Sequence, residues 1–254
     1  MHKRYSMGVR IVLVEPAGEL NVGSIARVMK NMGLTELVLV NPQCDRLSEA
    51  AIRMAVHAKD VLENSLVVDS LPAALQGCQR AIATTARTRG IPTKLESPRT
   101  ALPWLLEGNV NSAVIFGSES RGLSNEELNY GQRFVSIPSS PIYPSLNLAQ
   151  AVAVCAYELY QASVSENTDK VEVFDNYPKT NSLQPEINAP IEALEAYYQD
   201  LQTVLLDIGY LYPHTVKARM EKFRRLYNKA NFTEEEVSML RGILRQIRWA
   251  ISSK

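Results

Sequence analysis

Residues 137–158 read I-P-S-S-P-I-Y-P-S-L-N-L-A-Q-A-V-A-V-C-A-Y-E, and the chain changes character halfway along them. Pro138, Pro141 and Pro144 stand within seven residues. Each lacks an N–H and fixes its φ, so this part reads as a stiff, irregular loop, not as a helix or central strand. Ser145 is a good N-cap residue, and Leu146, Ala149, Val152, Ala153 and Ala156 then recur at helical spacing. The spacing predicts a helix that begins at Ser145. Its alanines at 149, 151, 153 and 156 leave little side chain, so another backbone can approach closely. A rigid loop feeding a buried helix leaves backbone N–H groups free at that end. No Lys or Arg occurs between Arg133 and Lys170, which suits an uncharged or apolar ligand surface. An ordinary loop and core helix would read the same way from these residues alone.

Working outward, short apolar runs alternate with helical stretches. Strands are predicted at Val9 to Val14, Glu36 to Asn41, Leu66 to Asp69, Arg80 to Thr85, Ala113 to Phe116 and Phe134 to Ile137. Between them, Asn21 fits a helix N-cap, and Gly23, Ser24 and Arg27 share one face of that helix. Helices are also predicted at Ser48 to His57 and Leu71 to Gln76, and Ser124 with Glu127 makes a capping box. Such alternation implies an α/β fold with a mostly parallel sheet and helices on both faces. Polar segments at 84–89, 117–123 and 137–144 follow strand ends. Ligands in such sheets sit beyond the carboxyl ends of the strands, so three loops converge on one candidate pocket.

Beyond that lies a different composition. Residues 165–190 are polar and acidic with three prolines, as expected of a linker. Ile191, Leu194, Tyr198, Leu201, Leu205 and Ile208 then mark an amphipathic helix. A basic helix is predicted over His214 to Ala230. Thr233 and Glu236 cap a third, with Val237, Leu240, Leu244, Ile247 and Ile251 on one stripe and Arg241, Arg245 and Arg248 on another. The expected organisation is therefore a main domain over 1–164, a linker over 165–190 and a small helical extension over 191–254.

The formal net charge of zero hides an uneven distribution. Residues 156–212 carry 2 Lys/Arg against 10 Asp/Glu, and residues 213–254 carry 10 against 4. A basic extension of this kind suits an anionic partner such as nucleic acid. The basic start, Met1 to Arg10, precedes only a short apolar run and does not read as a signal peptide. Cys44, Cys78 and Cys155 are odd in number and far apart, and read as reduced core thiols with no metal site. A cytoplasmic location is expected.

Several chemistries do not fit. No G-x-G-x-x-G follows the first strand. Gly117, Gly122 and Ser124 lie in a P-loop frame, but Leu123 replaces the phosphate-binding lysine and Glu119 would repel a triphosphate. No H-E-x-x-H, Cys/His cluster or G-x-S-x-G occurs, and His2, His57 and His214 are scattered.

Three ordered motifs supply a positive reading. Asn21-x-Gly23-Ser24-x-Ala26-Arg27, Phe116-Gly117-x-Glu119-x-x-Gly122-Leu123 and Ser145-Leu146-Asn147-Leu148-Ala149 each follow a predicted strand. Together they resemble the motifs of SPOUT-class RNA methyltransferases over about residues 9–160. Within that class the whole chain is similar to the tRNA (cytidine/uridine-32) 2′-O-methyltransferases. The resemblance implies a deep trefoil (α/β) knot, a homodimer with the pocket near the subunit interface, S-adenosylmethionine as cofactor and tRNA as substrate. It implies cofactor contacts from Thr84, Thr85, Ala86, Gly117, Ile137, Pro144, Ser145 and Leu146. Asn21, Arg27, Glu119, Ser145 and Asn147 would lie nearest the chemistry. A guanidinium is a poor base, so gripping the phosphate beside the target ribose suits Arg27 better than proton abstraction. Ribosomal RNA or another tRNA position as target, or a non-catalytic RNA-binding role, are the alternatives.

Overall fold

The computed structural model describes residues 8–86, 95–108, 110–168 and 188–252. Its sheet contains β1 (Val9–Val14), β2 (Glu36–Val40), β3 (Leu66–Val68), β4 (Arg80–Thr84), β5 (Leu95–Glu96), β6 (Ser112–Phe116) and β7 (Arg133–Val135). The strand order is β3-β2-β1-β6-β4-β7-β5, and every pairing is parallel. The expected strands are all present. β5 is an addition: two residues at a sheet edge give no apolar pattern to read.

The central strands β1, β2 and β6 are mostly apolar because both faces are covered, whereas Leu66 and Val67 of the edge strand β3 are exposed. In β1, Val9, Ile11 and Leu13 enter one core while Val12 and Val14 enter the other. The first core lies under α1 (Glu19–Asn31), α2 (Glu49–Ala55), α3 (Lys59–Glu63) and α7 (Leu148–Thr168). The second lies under α4 (Leu71–Ala74) and α6 (Asn125–Leu128). A further short helix, α5 (Pro98–Ala101), runs into a 3₁₀ turn at Leu102–Leu105. Each fully buried Val, Ile or Leu contributes roughly 1.5–3 kcal/mol. Two-sided burial of this kind holds strands whose own ladders are short.

Two helix starts differ from expectation. Asn21 does not cap α1; Gly18 does, and Asn21 sits inside the first turn. Ser145 does not cap α7 either. Asn147 Oδ1 accepts from the N–H of Ala149 at 2.9 Å and of Gln150 at 3.4 Å, while the Asn147 N–H donates to Gln150 Oε1 at 3.3 Å. This reciprocal pair is a capping box two residues further along. In both cases a long-range bond, described below, decides which polar residue goes where.

Small residues serve intrachain packing. A Cβ on Gly23 would stand 2.2 Å from the Ala51 carbonyl oxygen, so α1 and α2 pack backbone to backbone there. Ala156 of α7 is fully buried, and Ala149 and Ala151 pack on the same core. Ala149, Ala151 and Ala156 therefore face inward, on a core shared with α1 of the same chain.

The C-terminal helices are α8 (Ile191–Asp207), α9 (Val216–Tyr227), a 3₁₀ turn at Asn228–Ala230 and α10 (Glu234–Ser252). They share a core that includes Leu194, Tyr198, Leu201, Met220, Val237 and Leu244. The expected cap on α10 is present: Glu236 N–H donates to Thr233 Oγ1 at 3.3 Å and Thr233 N–H to Glu236 Oε2 at 2.9 Å. The apolar stripe outruns that core, for Ile247 and Ile251 are exposed. This unit is seated on the second face of the sheet. Ile191 is buried there, its N–H donates to the Cys78 carbonyl at 2.9 Å, and the Gly77 N–H donates to the Glu192 carboxylate at 3.2 Å. Lys217 also pairs with Glu126 of α6 at 2.9 Å.

α7 runs to Thr168, and most of the expected linker, 169–187, lies outside the described residues, as do 87–94 of the polar run after β4 and 1–7 of the basic start. Cys78 and Cys155 are core thiols, pushed by burial up to about 11 and about 12, whereas Cys44 is only partly buried. Among the described residues no helix is long and apolar enough to cross a membrane.

Candidate active site

The ends of β4, β6 and β7 stay tied together just past the ladder. Thr84 Oγ1 donates to the Ile115 carbonyl at 2.9 Å, and the Thr85 N–H donates to the Val135 carbonyl at 2.9 Å. The cavity above them is lined by Thr84, Thr85, Ala86, Gly117, Ile137, Pro144, Ser145 and Leu146. These are the eight expected cofactor residues, brought to one place from four segments of chain. Leu123 and Leu148 of the motifs, with Val135 and Ala151 from outside them, complete an apolar lining.

Two glycines shape the loop after β6. A Cβ on Gly117 would lie 2.1 Å from the Gly122 carbonyl carbon and 2.2 Å from the Leu123 nitrogen, so no side chain fits. Gly122 adopts φ +69, in the left-handed region, and its N–H returns to the Ser118 carbonyl at 2.9 Å. The loop is thus folded tightly on itself at the side of the cavity.

Three expected polar residues form one network at the cavity mouth. Glu119 accepts from the N–H groups of Ala17 and Gly18, each at 3.0 Å, and from Asn21 Nδ2 at 2.8 Å. Asn147 Nδ2 in turn donates to Asn21 Oδ1 at 3.0 Å. Burial alone would push the Glu119 carboxyl up, but the hydrogen bonds from Asn21, Ala17 and Gly18 outweigh it and hold the group below its ordinary value. Glu119 is therefore an ionised acceptor at neutral pH.

Arg121 braces the same loop from the other side. Its Nη2 donates to Glu127 Oε1 and Glu15 Oε2, both at 2.8 Å, and its Nη1 donates to Glu127 Oε2 at 2.8 Å. The two carboxylates, Glu127 foremost, raise the pKa of the guanidinium further, so its charge is permanent. Sequence reasoning passed over Arg121, because a single arginine in a loop says nothing about a partner 106 positions away.

Ser145 is exposed and lines both this cavity and a wider groove beside it; Glu119, Ile137, Leu146 and Leu148 are shared in the same way. Arg27 is placed differently. It is exposed on α1, has no ion pair or hydrogen bond among the described residues, and lines neither the cavity nor the groove.

Residues 8–157 match the model of the SpoU rRNA Methylase family. The chain belongs to that family. Residues 192–254 match a second model, the tRNA methyltransferase TrmJ C-terminal domain. The chain is 41% identical over 239 residues to the tRNA (cytidine/uridine/adenosine-2′-O-)-methyltransferase TrmJ of Pseudomonas aeruginosa (strain UCBPP-PA14), covering 93% of this chain and 92% of that one. It is 41% identical over 244 residues to the tRNA (cytidine/uridine-2′-O-)-methyltransferase TrmJ of Escherichia coli (strain K12), covering 94% of each. The crystal structure of TrmJ from Z. mobilis ZM4 superimposes with a TM-score of 0.79 at 30% identity, covering 94% of this chain and 98% of that one. The fold is the α/β knot of the SpoU methylases with a C-terminal helical extension.

A SpoU methylase takes its methyl group from S-adenosylmethionine, and the donor set here fits that molecule. Backbone edges and the hydroxyls of Thr84, Thr85 and Ser145 surround an apolar lining, as an adenosyl group requires. The charged groups of the lining are Glu119, held ionised, and Arg121, already committed to two carboxylates. Among the described residues the cavity therefore offers a sulfonium cation no unpaired positive charge.

Proposed function

We propose that the protein methylates a ribose 2′-hydroxyl of tRNA, and that its target is the cytidine or uridine at position 32 of the anticodon loop. The observation that carries this reading is the convergence of Thr84–Ala86, Gly117, Ile137 and Pro144–Leu146 on one cavity with Glu119 at its mouth. The activities named for the relatives support the substrate class. When bound, S-adenosylmethionine supplies an electrophilic methyl group on a cationic sulfur. The backbone of the three loops holds the adenosyl and methionyl parts. Glu119, oriented by Asn21, places negative charge at the wall between cavity and groove, where a nearby cation is favoured. Asn147 fixes the start of α7 under Ser145 and Leu146, so that these residues hold their positions against the cofactor.

Arg27 grips the phosphate next to the target nucleotide in this scheme. Because it lines neither cavity, a second protomer or the RNA itself must bring it to the reacting ribose. A homodimer provides the former. Tyr157 and Tyr160 leave an exposed apolar face on α7 even though its alanines are used within the chain. A tRNA-modifying role supports a cytoplasmic location.

Mapping 2′-O-methylation on tRNA from a deletion strain, with and without the gene restored, tests the reading. Methylation at position 32 should vanish and return. Its return at another tRNA position, or in ribosomal RNA, would replace the assignment. Full activity from a species that light scattering shows to be monomeric would remove the dimer.

A further inference from the structure

The groove beside the cofactor cavity has a volume of about 1120 Å³ and runs between the start of α5, the proline-rich loop and the first turns of α7. Glu119, Ile137, Ser145, Leu146 and Leu148 line it and the cavity alike. A reactant in the groove therefore meets the contents of the cavity across a single wall. Ordinary small-molecule sites run to roughly 300–1,000 Å³, so there is space for a nucleotide with its flanking phosphates.

Two residues lining the groove have the chemistry that such a ligand needs. Arg99 donates through Nε to Glu158 Oε2 at 3.2 Å and through Nη2 to Glu158 Oε1 at 3.1 Å. The pair fixes the plane of the guanidinium and uses two of its five N–H donors. The Glu158 side chain is 16% exposed and that of Arg99 80%, so the carboxylate is anchored in the wall while the cation stands in solvent. Exposed ion pairs of this kind add little to stability. An oriented fork with donors to spare, however, is what a phosphate takes.

The second residue is Tyr143, 81% exposed at the tip of the proline-rich loop. The loop is braced by bonds from Ser139 Oγ to the Pro144 carbonyl at 2.7 Å and from the Tyr143 N–H to the Ser140 carbonyl at 3.1 Å. The ring is thus presented on a stiff support, and little ordering cost remains when something stacks on it. Unpaired RNA bases are held on such aromatic faces. An exposed tyrosine or a surface arginine taken singly would be unremarkable surface. Both line one groove that shares a wall with the cofactor cavity, and that juxtaposition points to a ligand.

We propose that this groove seats the target nucleotide of the RNA, with Arg99 on an adjoining phosphate and Tyr143 against the base. Glu158 acts through Arg99 and is a positioning residue. The proposal rests on the neighbouring cavity being the S-adenosylmethionine site.

The test is steady-state methylation of tRNA by Tyr143→Ala, Tyr143→Phe and Arg99→Ala, with S-adenosylmethionine affinity measured by calorimetry on each. Tyr143→Ala should raise the KM for tRNA about tenfold, within the range of one lost base–aromatic stack, and Tyr143→Phe should restore it. Arg99→Ala should raise KM and reduce the slope of log KM against log salt by roughly one phosphate contact. Cofactor affinity should stay at the wild-type value in all three. Unchanged KM in both alanine variants would overturn the proposal, as would a KM rise that Tyr143→Phe shares. A parallel loss of cofactor affinity would also overturn it, since the groove would then be only the outer wall of the cavity. Wild-type protein that binds no S-adenosylmethionine would sink the cofactor reading and the groove with it.

Discussion

Asn147 Nδ2 donates to Asn21 Oδ1 across 3.0 Å and so joins the start of α7 to the first turn of α1, positions 126 apart in the chain. Asn21 passes the constraint on, since its own Nδ2 donates to Glu119 at 2.8 Å. Three loops that close the carboxyl edge of the sheet are therefore held by one chain of side-chain bonds. Asn147 also caps α7, so a single residue sets both the helix start and the network.

These two duties of Asn147 separate by mutation. Asn147→Ala should lower stability by about 0.5–2 kcal/mol through the lost cap. Asn147→Asp keeps the capping oxygen but removes the donor to Asn21. It should melt close to wild type and yet lose most of its turnover, as read by thermal denaturation and single-turnover methylation.

Glu119 makes stability depend on acid. Its folded pKa is lowered below the ordinary value of 4.5, so its contribution is fully present above that value and is lost as pH falls through the lowered one. Wild-type Tm should therefore drop more than that of Glu119→Gln as pH is taken below about 4.5. Parallel Tm curves for the two proteins would contradict the network.

Gly117 and Gly122 should respond differently to alanine. At Gly117 the new Cβ meets backbone at 2.1 Å, so the loop must open and cofactor binding by calorimetry should be lost. At Gly122 nothing stands within 4 Å, and the cost is the left-handed φ alone, about 1–2 kcal/mol of stability. Gly122→Ala should still bind cofactor.

Arg27→Ala should lose turnover while S-adenosylmethionine affinity stays near wild type, because the residue lines no part of the cavity. Arg27→Lys should recover little, since an ammonium cannot offer the planar fork. A variant that loses cofactor affinity in step with turnover would place Arg27 at the cofactor instead.

The arginines of α10 are not equivalent. Arg241 donates to Asp200 at 2.8 Å, whereas Arg245 and Arg248 have no ion pair among the described residues. Neutralising Arg245 and Arg248 together should flatten the salt dependence of tRNA binding by roughly two phosphate contacts. Arg241→Gln should change it little. Salt-dependent binding isotherms of the three proteins decide this.

The sheet was legible because burial on both faces writes mostly apolar runs into β1, β2 and β6. The cavity was legible because each motif follows such a run. What sequence hid was pairing at long range. Asn21 and Ser145 are both good caps by residue type, but Asn21 is taken by Glu119, and Asn147 outcompetes Ser145 by bonding to Asn21 as well. The alanines of α7 showed that something packs closely there without showing that it is α1. Arg99 gave no signal, since its carboxylate partner is 59 positions away, and nothing in the sequence joined Arg121 to Glu15, 106 positions away.

Ile191 has a consequence for how the protein can be cut. The second face of the sheet carries Ala81, Ala83 and Ala113, whose short side chains leave a shallow layer, and Ile191 is buried in it. Family membership changes between residues 157 and 192, yet the packing does not. A chain stopped before Ile191 would retain every expected cofactor residue and uncover the place on the opposite face of the sheet that Ile191 fills.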